Sequence, residues 1–163
     1  MKKNFIKSLC LLVISLFLVT SVYSQNQKTN RWVLHCKTNT PCFISQKIKV
    51  NFNGESKVLG GASIFYASKN LVLRLRFSHN AKKEQGVGIK IDKNQALHLP
   101  ITACDTNICE ANVSIDDQLL SELLAGKVMS IAYFDKQAKQ KTLPVFLNNF
   151  DEVFKNLSKK QFN

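Results

Sequence analysis

At 163 residues the chain falls in the size range of one domain, since domains commonly run to ~100–200 residues. A chain of this size buries about two-thirds of its unfolded surface, so its five cysteines are not needed in place of a core. The formal net charge of +12 attracts polyanions at long range. However, the lysines are scattered and arginine occurs only at Arg31, Arg74 and Arg76, so the charge reads mainly as a solvated surface and no nucleic-acid partner is expected.

The first element is a leader. Lys2, Lys3 and Lys7 precede an apolar run from Leu9 to Val22, and Val22-Tyr23-Ser24 offers a cleavage site before Gln25. This is the layout of a secretory signal peptide over 1–24. The apolar run is shorter than the ~20 residues of a bilayer-spanning helix, so no transmembrane helix is expected in the mature chain, 25–163. Cys10 would leave with the leader, and removal of its three lysines takes the net charge from +12 to +9.

Beyond the polar stretch 25–30, period-two alternation takes over, as in half-buried strands. "RWVLHC" puts Trp32, Leu34 and Cys36 on one side. "CFISQKIKVNF" is ambiguous: Phe43 and Ser45 oppose Ile44, Gln46, Ile48 and Val50. "VLGGASIFYA" is a further strand, in which Gly60-Gly61 predicts a bulge or a close backbone approach. In "LVLRLRFS", Leu71, Leu73, Leu75 and Phe77 alternate cleanly against Val72, Arg74 and Arg76. A polar loop at 79–86 follows, then five more runs of strand length: "VGIKID", "ALHLPI", "ICEANVSI", "KVMSIAYF" and "TLPVFLN".

Two helices interrupt the strands. Ser114 and Asp117 form an S-x-x-D cap before Leu119, Leu120, Leu123 and Leu124, with Gly126 and Lys127 closing the segment. The second helix starts near Asn148 or Asn149 and carries Phe150, Val153, Phe154 and Leu157 at helical spacing, an apolar stripe suited to covering one edge of a sheet. The expected fold class is therefore mainly β: a single antiparallel β-sandwich-like domain with two short helices, preceded by a signal peptide.

Cys36, Cys42, Cys104 and Cys109 remain after the leader, each pair flanking a polar, turn-prone gap: "KTNTP" and "DTNI". The simplest reading is two disulfides, 36–42 and 104–109, each closing a hairpin, although four cysteines allow three connectivities. Neither spacing is the C-x-x-C of a redox centre, the 36–42 gap is too long for a C-x₂₋₄-C zinc pair, and an oxidising compartment favours disulfides over thiolate ligands. His35, His79 and His98 are separate in sequence, with His35 and His98 in solvent-facing phase. Asp116-Asp117 is explained by the helix start. Motifs of the H-E-x-x-H or G-x-S-x-G kind are absent from the sequence, so no catalytic residue, metal or cofactor is assigned.

The order of these pieces resembles the invasion-associated locus B (IalB) family of Gram-negative bacteria. The carriers are Trp32-Val33-x-x-Cys36 with Cys42-Phe43, "GVGIKID" (86–92), "LPITACDTNICEA" (99–111), "IDDQLLSELLAGK" (115–127) and "TLPVFLNNF" (142–150). Two loops depart from the family pattern: Asn148-Asn149 replaces a turn ending in glycine, and "HNAKKEQ" replaces a proline-rich lead. The resemblance implies an exported, β-rich, disulfide-containing protein without established catalytic activity, linked in pathogens to host-cell entry. The expected location is the periplasm, with outer-membrane association or secretion as variants. The expected partner is a protein or an envelope polyanion such as lipopolysaccharide or a glycan.

Overall fold

A computed structural model describes residues 31–161; the leader and its cleavage site lie outside the described residues. Ten strands and two helices follow in order: β1 (Val33–Lys37), β2 (Thr40–Phe52), β3 (Glu55–Ala67), β4 (Asn70–Ser78), β5 (Val87–Ile91), β6 (Leu97–Leu99), β7 (Ala103–Cys104), β8 (Ile108–Ser114), α1 (Asp117–Ala125), β9 (Val128–Phe134), β10 (Gln140–Phe146) and α2 (Phe150–Gln161). The protein is mainly β. The strands form two antiparallel sheets, a six-stranded one in the order β1-β2-β3-β4-β8-β7 and a four-stranded one in the order β10-β9-β5-β6.

The core lies between the sheets and follows from alternation. Leu71, Leu73, Leu75 and Phe77 of β4 are all buried, as expected, and Val72, Arg74 and Arg76 are not. The ambiguous phase of β2 resolves with Ile44, Gln46 and Ile48 inward. From the smaller sheet come Val87, Ile89, Ile91, Met129, Ile131, Leu143 and Val145. Phe77 stacks on Tyr133 across the gap at 4.8 Å.

Gly60-Gly61 meets both expectations. The β2–β3 register shifts beside Gly60, so that Ile48 pairs with Gly60 but Lys49 with Val58. A Cβ at Gly60 would stand 2.5 Å from the Arg76 carbonyl oxygen, and one at Gly61 2.6 Å from that of Gln46. Beyond the shift, the β2–β3 hairpin is exposed on both faces and turns at Asn53-Gly54, both with positive φ, the two-residue turn that matches strand twist.

Both helix starts differ from expectation in detail. Ser114 does not cap α1, because it is still laddered to Val72, and the Ile115 N–H donates to the Leu71 carbonyl. The cap is Asp116, whose Oδ1 accepts the Leu119 N–H at 2.8 Å. Asn149 precedes α2, but its side chain faces away from the helix. It accepts the Trp32 N–H at 3.0 Å and donates to the Trp32 carbonyl at 2.9 Å, holding the start of β1 as a paired strand would. Phe150 then packs edge-on against Trp32, with ring centroids 5.1 Å apart. Phe150 and Leu157 are wholly buried, so α2 does cover the β1–β2 edge of the larger sheet.

Three further polar clamps fix the layers. Buried Gln46 donates to the Phe146 carbonyl at 2.7 Å and accepts the Phe146 N–H at 2.8 Å. The Trp32 indole N–H donates to that same carbonyl at 3.0 Å. Beside them Asp92, at φ 48°, accepts the N–H groups of Lys127 and of Val128, the ladder partner of Phe146, and sets the start of β9.

Candidate functional site: the open face of the six-stranded sheet

The second layer covers one face of the six-stranded sheet and leaves the other open. Strand register aligns that open face into three rungs. The first runs Lys47–Gly61–Arg76–Glu110–Ala103, the second Val33–Ser45–Ser63–Arg74–Asn112, and the third His35–Phe43–Phe65–Val72–Ser114. None of these fifteen residues is buried, whereas the residues between them along β2, β3, β4 and β8 point into the core.

The third rung is aromatic and apolar. His35 stacks on Phe43 at 4.7 Å with planes 21° apart, and its Nε2 lies 2.9 Å from the Ser45 hydroxyl. The expected solvent-facing histidine is thus on the outer face but half-buried and engaged. Phe43 lies opposite Phe65, and the Arg74 guanidinium sits 4.7 Å above the Phe65 ring. Such cation–π contacts attract a guanidinium to the ring face. Arg74 Nε also donates to Asn112 Oδ1 at 3.1 Å, and Arg76 Nε donates to Glu110 Oε1 at 2.6 Å. Asn112 in turn donates to the Thr102 hydroxyl. Two of the three arginines therefore stand side by side on β4 in fixed orientations.

The four cysteines form two pairs, Cys36–Cys42 and Cys104–Cys109, with Cα atoms 4.4 and 4.0 Å apart. The first closes the β1–β2 hairpin, the second the β7–β8 hairpin, where Cys104 and Cys109 are direct ladder partners. Cys42 adjoins the rung that ends at Ser114, whereas Cys109 pairs with Phe77 near the other end of β4, so the bridges lie at opposite ends of the sheet. Neither contributes a ligand or a redox partner to the other.

Beside Cys104 lies an open depression of about 860 Å³ edged by His79, Lys82, Lys83, Glu84, Asp105 and Lys136. Asp105 belongs to the turn, since its Oδ1 accepts the N–H groups of Asn107 and Ile108 at 2.7 and 2.8 Å. Those two bonds, the Ile108 one foremost, hold its carboxyl below the usual carboxylate range. Its charge is thus committed to the backbone. His98 is exposed on β6, remote in the strand order from His35. Among the described residues, no three His, Cys, Asp or Glu side chains gather as a metal site would require, and no helix is long and apolar enough to cross a membrane.

Sequence alternation found Arg74 and Arg76 on the outer side of β4. It missed that Phe43 and Phe65 join them. The β2 phase was unresolved, and cross-strand register is a property of the paired sheet.

The protein is thus a two-layer antiparallel β-domain with disulfide-closed hairpins and an open aromatic–cationic sheet face. Residues 32–158 match the family described as Invasion associated locus B (IalB) protein, and the chain belongs to that family. Among solved structures it is similar to invasion associated protein b from Bartonella henselae, at 20% identity and a TM-score of 0.72 over 83% of this chain and 96% of that one. At that identity the likeness is one of fold. No curated protein matches the chain.

Proposed function

We propose that this is an exported, non-enzymatic protein of the cell envelope that acts by docking another molecule on the open face of its six-stranded sheet. The observation that carries the reading is that face itself. Its aromatic side chains and arginines are ordered by contacts among themselves, at 4.7 Å for both His35–Phe43 and Arg74–Phe65, without a covering layer. Exposed apolar side chains rimmed by polar ones, as here, support a binding role.

Export rests on the leader at 1–24 and on two disulfides suited to an oxidising compartment. Cleavage after Ser24 gives the mature domain 25–163, in the periplasm or carried onward to the outer membrane or medium. The cysteine pairs serve as structural staples, and any contribution to host-cell entry comes through the envelope partner.

The test has two parts. A protease that cannot cross the outer membrane, applied to intact cells beside a periplasmic control, separates surface exposure from periplasmic confinement. A strain lacking the protein is then complemented with the wild type or with Phe43→Ser. Loss of complementation by a folded, exported Phe43→Ser supports docking by this face. Full complementation, or a turnover activity abolished by one polar substitution elsewhere, overturns it. The second reading, an envelope polyanion binder, is favoured by the net charge of +9 left after removal of the leader and by Arg74 and Arg76 standing two residues apart on that face.

A further inference from the structure

We infer that the open face of the six-stranded sheet is a binding site for an anionic polysaccharide, with the third rung as an apolar platform and Lys47, Arg74 and Arg76 as its anion contacts. This rests on the reading of that face as the docking surface and names its ligand class.

Three features converge on a sugar polymer. The first is charge complementarity, since the three rungs hold Lys47, Arg74 and Arg76 against the single carboxylate Glu110. Glu110 is shared, 2.6 Å from Arg76 Nε and 3.8 Å from Arg74 Nε. It sets both guanidinium groups without neutralising the patch. These contacts use Nε, and the terminal nitrogens of each guanidinium present the planar fork that suits a carboxylate or sulfate.

The second is the platform. Phe43 is 39% exposed, with His35 stacked against one face of its ring and Phe65 opposite it on the next strand. A sugar ring offers an apolar C–H face to such a surface. The third is the polar rung between the platform and Arg76. Ser45, Ser63 and Asn112 place hydroxyl and amide groups where ring hydroxyls need partners. Neighbouring strands lie ~4.8 Å apart and alternate residues about 7 Å, so platform, hydroxyl row and cations fall within the reach of a few linked sugars. A polyphosphate would use only the cations, and a lipid surface would make no use of the polar row.

The exported protein is titrated with a heparin octasaccharide, and in parallel with linear polyphosphate of equal charge, an eight-nucleotide single-stranded DNA and vesicles of anionic lipid. The octasaccharide is expected to bind at least about tenfold more tightly than each of the other three, a gap of ~1.4 kcal/mol, with affinity falling steeply as salt rises. Phe43→Ser and Arg74→Gln should each weaken it by about tenfold. Arg76→Gln, at a side chain 51% exposed, provides a second variant whose folding is secure. Lys160→Gln, the same loss of charge on the exposed face of α2, should leave affinity unchanged.

Equal binding of polyphosphate, DNA or vesicles, or equal losses from Lys160→Gln and Arg74→Gln, would reduce the effect to diffuse charge and overturn the site. Complementation lost in Phe43→Ser with octasaccharide affinity intact would leave the docking face standing and remove this ligand. Affinity lost with complementation intact would do the reverse.

Discussion

The two faces of the six-stranded sheet are built from the same strands, and each residue differs from its neighbour only in direction. Inward, β4 presents Leu71, Leu73, Leu75 and Phe77, all at most 9% exposed. Outward it presents Val72, Arg74 and Arg76, whose order comes from contacts with Phe65, Asn112 and Glu110. The inner face stabilises by removing apolar area from water. On the outer face, exposed ion pairs and cation–π contacts contribute little net free energy each. A surface that is organised yet contributes little to folding is organised for another reason. The contrast is sharpest along one strand, where a substitution at 73 tests the fold and one at 74 tests the face.

The largest expected effect is therefore on the inner side. Leu73→Ala removes a side chain with no exposure and should cost about 2–5 kcal/mol, read as a lower urea midpoint. Phe43→Ser on the outer face should cost about 1 kcal/mol or less, within the span of β-propensity. Comparable losses at the two positions would show that the outer face is also a folding element.

Next in size is Gln46→Leu, which replaces the one buried polar side chain on the inner side of β2. The Phe146 carbonyl keeps the Trp32 indole as a donor, but the Phe146 N–H loses its acceptor. One orphaned buried group costs about 1–3 kcal/mol. Thermal denaturation checks the loss, and a larger one should appear in a Trp32→Phe background, because the indole and the Gln46 amide share the Phe146 carbonyl and removing both leaves it without a side-chain donor.

The staples act on both faces alike. Replacing either Cys36 with Cys42 or Cys104 with Cys109 by alanine pairs removes a loop constraint worth about 2 kcal/mol in the chain-entropy model. Denaturant midpoints should fall for each pair while ligand affinity at saturating stability stays unchanged. A thiol-dependent activity lost at Cys109→Ser with the fold intact would contradict the structural role.

Acid provides a gentler probe. Asp135 accepts the N–H groups of Gln137 and Lys139 and lies 3.4 Å from the Lys141 ammonium. The Lys139 backbone bond is the main cause of its depressed pKa, and Lys141 adds to it. A carboxyl that is more acidic folded than unfolded binds fewer protons in the native state. Its contribution is present in full above the ordinary value of 3.8 and is lost as pH falls through the lower native one. Asp105, depressed by its own backbone bonds, adds in the same direction. Stability measured from pH 6 down to pH 2 should decline on this acid limb, and Asp135→Asn should flatten it.

Much of this contrast was legible in the sequence, because alternation is local. The β4 pattern alone assigned Leu73 inward and Arg74 outward, and polar gaps between cysteines located both hairpins. What escaped was long-range. Phe43 had no readable phase in a strand carrying Gln46 among its inward residues, since that glutamine's partner lies 100 positions away at Phe146. Asn149 looked like a cap because helix-start chemistry is local, yet its amide is taken by Trp32, 117 positions away. Ser114 looked like a cap for the same reason, and the ladder to Val72 overrode it. Local pattern places residues on faces, and pairing decides which residues of different strands meet there.

The smallest effect is the one that defines the outer face. A double-mutant cycle of Phe65→Leu and Arg74→Met, followed by urea denaturation, isolates the contact between ring and guanidinium at 4.7 Å. A coupling of about 0.5–1 kcal/mol is expected at an exposed site. Arg74 keeps its Asn112 and Glu110 neighbours in the Phe65→Leu variant, so the coupling reports the ring alone. A measurable value means that the guanidinium is held over the ring before any ligand arrives, and ordering it then costs little on binding. A value of zero would leave Arg74 positioned by Asn112 and Glu110 alone. The ring would then add nothing to the order of the outer surface, which would rest on its hydrogen bonds and on the His35–Phe43 stack.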